Sequence, residues 1–315
     1  MHTGIENILK NTPLPVAGLA FGLTALGGLF AELGQGFWAM PLFGMLGFAV
    51  LLIALLKIYY FPQVAKANLN HPIQAAVVPV IPFTIMLDAS YLSSSYPTLA
   101  LGLWLISCVA TLVYVSWFVW RYLLHFQLKN VFAAFFIPFV GFCVPVMTSH
   151  HLAEHYPMLE TWRYALFNFS AAAFIVMFGL ISLRYWKLPV DELPAKPVFA
   201  IYTAPLAMLI VGYIRLPLAH STIYLNLALL LSQALFFIVL NQVPHFLKNG
   251  FFPSYAALTF PFIISANSLW ESLSLFGNSA FLTALAWLES LFAIIMTLFV
   301  FYKYLKFLQK TAKGV

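Results

Sequence analysis

The stretch "YAALTFPFIISANSLW" (255–270) lies in an apolar run that reads as a membrane-spanning helix, yet Pro261 stands in its middle and Phe262 follows at once. Proline inside a helix removes a backbone hydrogen bond and kinks the chain. The same break recurs along the sequence. "PVAGLAFG" begins at Pro15, "PFTIMLDA" at Pro82, "PFVGFCVP" at Pro138, "PLAMLIVG" at Pro205 and "PFIISANS" at Pro261, with intervals of 67, 56, 67 and 56 residues. The residues upstream echo one another as well, as in "FAAFFIPF" (132–139) and "YAALTFPF" (255–262).

Composition sets the medium. Of 315 residues 63% are hydrophobic and 8% charged, against about 25% charged in a soluble domain. A span takes about 20 apolar residues. Ten runs qualify, near 14–31, 38–60, 75–92, 98–123, 132–149, 162–186, 198–214, 221–243, 254–272 and 279–302. The connections are short, and the longest polar break, "KLPVDELPAKP" (187–197), is too short for a domain linker. The sequence therefore predicts one transmembrane domain over 1–315. Lys10 precedes a first run that holds Pro13 and Pro15 with no small-residue cleavage site after it, so that run reads as a retained helix. Cys108 and Cys143 both fall inside apolar runs and imply packing, not a disulfide framework.

All but two of the 15 Lys and Arg residues, Arg163 and Arg215, fall before odd-numbered runs or after even-numbered ones. The positive-inside rule then places both termini in the cytoplasm. The formal net charge of +6 reads as this topology signal; a nucleic-acid partner is not implied.

Self-similarity at a fixed period signals a repeat architecture. Each interval covers one outward and one inward run, so the unit is a helical hairpin, with repeats near 11–66, 67–127, 128–190, 191–248 and 249–315. Hairpins that keep one orientation are related by an axis along the membrane normal, and five of them make a ring. Broken backbone at membrane depth is tolerated only where protein buries it or water reaches it, which puts the proline-bearing odd helices inside. The even helices, bulky and aromatic as in "LVYVSWFVWRYLL" (112–124), suit the outside. The predicted fold is an all-α integral membrane protein: ten transmembrane helices as five tandem hairpins in a pseudo-fivefold ring, Pro-kinked odd helices lining a pore and even helices around them.

The opening "NTPLPVAGLAFGLTALGGLF" (11–30), the five broken odd helices and "TFPFIISANS" (259–268) together resemble the tellurite-resistance/dicarboxylate transporter family, which includes plant guard-cell slow anion channels. The resemblance covers the whole chain. It implies a homotrimer with one pore per subunit in the bacterial inner membrane, no cofactor, and no enzymatic activity. Channel-type members pass small inorganic anions such as chloride and nitrate; others carry dicarboxylates or sulfite, for which a proton-coupled mechanism is the alternative. It also implies a phenylalanine gate in the ninth helix, at the place of Phe262. A tellurite-resistance phenotype comes with the family name, and no tellurite site stands out among the residues.

A phenyl ring in a narrow apolar pore blocks ions by filling it and by leaving them unhydrated. Val16, Phe83, Phe139 and Leu206 follow Pro15, Pro82, Pro138 and Pro205 as Phe262 follows Pro261, and are the candidates for the rest of the collar. The odd helices carry no basic residue that would hold an anion too tightly to release it. Asp88 and Glu289 fall inside predicted spans, where carboxylates are costly and are functional candidates by default, as polar or proton sites. "SHHLAEHYP" (149–157) offers His150, His151, Glu154 and His155. His151 and His155 would share a helix face, but the stretch reads as a hydrated outer loop with no metal. No P-loop, dinucleotide fingerprint or Ser/His/Asp constellation is visible.

Overall fold

The computed structural model describes residues 3–248, 250–277 and 279–314, and among them there is no strand. The first hairpin comprises α1 (Thr3–Asn11), α2 (Val16–Glu32) and α3 (Gly36–Tyr60). The second runs through α4 (Pro62–Asn68), α5 (Pro72–Val77), α6 (Val80–Leu92) and α7 (Pro97–Phe118). The third holds two short helices, α8 (Phe136–Val140) and α9 (Cys143–Thr148), then α10 (His150–His155) and α11 (Leu159–Lys187). The fourth pairs α12 (Ala204–Ile214) with α13 (Thr222–Leu247), and the fifth α14 (Phe260–Phe276) with α15 (Ala280–Ala312).

Among the described residues, seven stretches are single, long and apolar enough to cross a membrane: Gly36–Tyr60, Pro72–Leu92, Pro97–Leu123, Leu159–Lys187, Leu193–Ile214, Thr222–Leu247 and Ala280–Ala312. The pair α1 and α2, bent by 91°, makes an eighth if taken as one span. The protein is thus an all-α, multi-pass membrane protein. The runs 132–149 and 254–272 do not form single helices. The former breaks into a 3-10 turn (Ala133–Phe135), α8 and α9; the latter into a 3-10 helix (Pro253–Leu258) and α14. The helices α3, α7, α11, α13 and α15 expose large apolar side chains such as Phe37, Ile106, Ile175, Leu230 and Leu291, which suits contact with lipid.

The repeated prolines do not interrupt helices at their centres as the sequence suggests; they open them. Pro15 is the residue before α2, Pro205 and Pro261 stand in the first two positions of α12 and α14, and Pro82 and Pro138 are third in α6 and α8. The first-turn N–H groups of a helix have no intrahelical acceptor, so proline there gives up nothing and its fixed φ helps the start. The chain ahead of the proline is wound differently. In the fourth and fifth hairpins it is 3-10 helix, Leu193–Thr203 and Pro253–Leu258, and in the first it turns away as α1.

The helices that follow these prolines pack in a closed circuit: α2 on α6, α6 on α9, α9 on α12, α12 on α14, and α14 back on α2. The closing contact uses Gly18 and Gly22, a small-xxx-small pair that lets backbones approach. A Cβ on Gly22 would lie 2.2 Å from Thr259 Oγ1, and one on Gly18 would lie 3.2 Å from the Ala256 Cβ. Gly47 does the same for α3, where a Cβ would stand 2.8 Å from the Ala20 carbonyl oxygen and 2.1 Å from Thr24 Oγ1. At the end where the termini meet, Lys57 donates to the carbonyls of Lys10 (3.0 Å) and Thr12 (2.8 Å), so a buried ammonium closes the C-terminal end of α1.

Because the Ala20 carbonyl is backbone and cannot swing aside, Gly47→Ala is expected to destabilise the fold by about 1–3 kcal/mol, read as a fall of several degrees in Tm in detergent. Gly102→Ala, where a Cβ meets nothing within 4 Å, is the control and should leave Tm unchanged.

Candidate functional site

A cavity of about 80 Å³ lies where the broken segments meet, and all five contribute to its wall. Pro15, Gly18 and Phe21 come from the first; Ile73, Val77, Val80 and Phe83 from the second; Phe136, Ile137, Val140, Gly141 and Val144 from the third. Val198, Ile201, Ala204, Pro205 and Met208 come from the fourth, and Ser254, Ala256, Ala257, Phe260 and Pro261 from the fifth. Ser254 is the one polar side chain among them, and its hydroxyl makes no hydrogen bond among the described residues. The volume admits a few water molecules at about 10–15 Å³ each, and the Ser254 hydroxyl is the one side-chain group on the wall that could bond to one.

Three phenyl rings form a continuous aromatic patch on that wall. Phe260 stacks on Phe21 with centroids 4.1 Å apart and planes at 29°, and Phe21 meets Phe83 at 6.3 Å. The patch draws on the fifth, first and second hairpins. Phe260 owes its direction to the junction before it. Thr259, at φ −107° and ψ −90°, ends the 3-10 helix and starts α14, and its hydroxyl donates to the Ala256 carbonyl at 2.7 Å.

The phenylalanine of this stretch on the cavity wall is Phe260, two positions before Phe262. Phe262 does not line the cavity; it is fully buried on the other face of α14, its ring edge-on to Phe292 (4.9 Å) and Phe236 (5.8 Å) of the surrounding helices. Residues two apart on an α-helix are turned by about 200°, so only one of Phe260 and Phe262 can face inward. Of the other lining candidates, Pro15, Phe83, Pro205 and Pro261 are on the wall. Pro82, Pro138, Val16, Phe139 and Leu206 are not, and Phe139 packs instead on Phe118 of α7 at 6.1 Å. The register of the collar fails because the helices start at different distances from their prolines. Phe21, six residues past Pro15, and Phe260, one before Pro261, were missed for that reason.

Neither carboxylate reaches the cavity. Asp88 turns toward α2 and α3, beside Thr24, with Oδ1 3.1 Å from where a Cβ on Gly44 would sit. Glu289 of α15 is fully buried beside Ser265 of α14 and Gln233 of α13. Both lie at helix interfaces.

Beyond the cavity, at the end away from the termini, the wall gives way to charge. Arg215, just past α12, holds Glu271 of α14 through Nη2 (2.5 Å) and Nε (3.1 Å), and donates from Nη1 to the Met147 carbonyl (3.0 Å). Arg163 of α11, fully buried, pairs with Glu160 at 2.7 and 2.8 Å and donates to the Arg215 carbonyl. These are the two basic residues that stood apart in the charge pattern.

The histidine stretch forms the short helix α10. His150, His151 and Glu154 bring one donor atom each to within 4.8 Å of one another, while His155 stays outside the group. The helix thus joins a different set from the expected pair of His151 and His155. Burial, then the nearby charges of Arg215 and His151, push His150 down to about 4.

A family model described as voltage-dependent anion channel, the SLAC1 family, matches residues 2–305. The chain therefore belongs to the SLAC1 family, whose members are anion channels and transporters. Comparison with curated proteins gives no match.

With a depressed folded-state pKa, His150 stays neutral where the unfolded chain's histidine, at 6.5, takes up a proton. Its stabilising contribution is complete above that value and is lost as pH falls toward 4. The Tm of wild type should therefore drop more steeply over this range than that of His150→Asn; parallel slopes would show that His150 is not held neutral by its surroundings.

Proposed function

We propose that the chain is an anion-selective channel that passes small monovalent anions, chloride and nitrate, along the axis of the circuit, and that Phe260, backed by Phe21 and Phe83, occludes it. The observation that carries this reading is a single apolar cavity walled by all five broken segments with an aromatic patch on it. An ion there loses hydration and gains no partner, so the aromatic constriction is a barrier by dewetting as well as by volume. A wall without charged groups also offers no site strong enough to trap an anion once the ring moves. Helix breaks that bury their loosened backbone around the cavity satisfy the rule that irregular backbone at membrane depth be covered by protein.

In the same reading the five hairpins form a pseudo-fivefold ring of ten spans, thirteen of the fifteen cationic residues set both termini in the cytoplasm of a bacterial cell, and exposed faces of the surrounding helices assemble a homotrimer in the inner membrane. A role in tellurite resistance follows the family resemblance. The proton-coupled carrier for dicarboxylates or sulfite is less well supported, since Asp88 and Glu289 both lie away from the cavity.

Planar bilayer recording tests the assignment. Phe260→Ala should raise anion current roughly tenfold or more, as expected when a hydrophobic constriction is opened, with reversal at the anion equilibrium potential. Phe262→Ala should leave current at the wild-type level and lower Tm, since it empties a packed site between Phe236 and Phe292, a loss of about 3–5 kcal/mol for a buried phenylalanine. Current released by Phe262→Ala and not by Phe260→Ala would return the gate to Phe262. Flux without unitary current would favour the carrier.

A further inference from the structure

The far end of the circuit holds one guanidinium that side chains or backbone from every hairpin approach. Arg215 is bonded to Glu271 of the fifth hairpin and to the Met147 carbonyl of the third, and its own backbone carbonyl is held by Arg163. Its charge is felt by exposed Glu32 at the end of α2, by Tyr91 of α6, and by His150 of α10. It stands seven residues beyond Met208, the last wall residue of its own segment, or about 10 Å along a helix.

The hydrogen-bond inventory of this side chain is incomplete. Arginine has five N–H donors. Nε, one N–H of Nη2 and one N–H of Nη1 are taken by Glu271 and Met147, so one N–H on each terminal nitrogen has no acceptor among the described residues. The side chain is 31% exposed while Glu271 is 10% exposed, so the free donors have a route to water and the carboxylate is the more enclosed partner. Stability alone does not explain such a pair, since enclosed ion pairs gain little over apolar residues of the same volume.

We infer that Arg215 is a binding site for a small monovalent anion at the far mouth of the pore, and that Glu271 weakens it enough for the ion to leave. This rests on reading the cavity as an anion pathway. Arg163 and Glu160 are positioning residues: the Arg163 bond to the Arg215 carbonyl fixes the last turn of α12, from which the guanidinium projects. The division of labour is physical. The wall of the cavity selects nothing, because apolar surface repels ions of either sign, whereas a guanidinium with two free donors, bonded to Glu271 and with Glu32 near enough to feel its charge, gives an anion a partner without holding it.

Two measurements test the site. The first is a nitrate titration of thermal unfolding in detergent, which needs no conduction, because a ligand that binds the folded state raises Tm with its concentration. Wild type should show a saturable nitrate shift. Glu271→Gln keeps the side-chain shape and an acceptor for Arg215 while removing the negative charge. It should saturate at roughly fivefold lower nitrate, the order expected when a partly exposed ion pair is neutralised. Arg215→Gln should show no saturable shift. Absence of saturation in both wild type and Glu271→Gln overturns the site.

The second is the reversal potential under a potassium nitrate gradient in the Phe260→Ala background. There Glu271→Gln should move reversal toward the nitrate equilibrium potential and Arg215→Gln away from it. If Arg215→Gln does not fold, Arg215→Lys retains the charge without the fork and should lie between. Unchanged reversal in Glu271→Gln and in each folded Arg215 variant overturns the role in permeation. A silent Phe260→Ala channel with an intact nitrate titration would count against the pore reading and leave the binding site standing.

Discussion

The architecture turns on the contact that joins the last hairpin to the first. In a bilayer there is no hydrophobic drive to bring helices together, since lipid tails are as apolar as leucine; close van der Waals packing has to do it. Gly18 and Gly22 let α2 approach Ala256 and Thr259 closely enough that a methyl group at Gly22 would overlap the Thr259 side chain. That contact closes the circuit, and Thr259 is also the residue at which 3-10 helix becomes α-helix. Closure and the direction of Phe260 are therefore set at one place, which is why Phe260 meets Phe21, three residues from Gly18, in a close stack.

The need to satisfy backbone groups in hydrocarbon explains the two helix classes. The surrounding helices are continuous and can face lipid. The inner segments change winding partway, and each change leaves carbonyl and amide groups without their usual partners. Such segments are tolerated only behind other protein, and they sit behind the long helices. The prolines mark the seams without creating a cost, because each lies within the first turn of the helix it opens. A segment made of two pieces also leaves room at the seam, and the cavity lies there.

This division shows what a sequence can and cannot tell. The period of the prolines and the alternation of basic residues both point to a hairpin repeat, and the closed circuit of the helices after the prolines is in keeping with it. The membrane setting was legible from composition. Phe260 lines the cavity and Phe262 packs behind it because the five copies do not share one register. In the structure α2 begins one residue after its proline, α14 one residue before it, α6 and α8 two residues before, and the segment before α12 is eleven residues of 3-10 helix. A shift of two residues turns a side chain from the axis to the packing behind it, so equivalence by alignment to proline holds for the backbone break and fails for ring direction. The continuous helix read at 254–272 failed for a related reason: hydropathy does not distinguish an α-helix from a 3-10 helix of the same residues.

Arg163 and Arg215 illustrate a different limit. In the sequence they stand only as the two exceptions to the charge pattern. Their places in the fold make them the polar counterpart of the aromatic patch. The apolar wall presents a barrier that is indifferent to the sign of an ion, and discrimination has to come from elsewhere along the path. The far end supplies a partly exposed guanidinium that is bonded to Glu271, has Glu32 near enough to feel its charge, and has its backbone carbonyl held by a second guanidinium. Separating the barrier from the charge lets each be adjusted without the other. A charged group placed at the aromatic patch itself would have to be desolvated there, and an anion bound to it in that low-dielectric setting would be slow to leave.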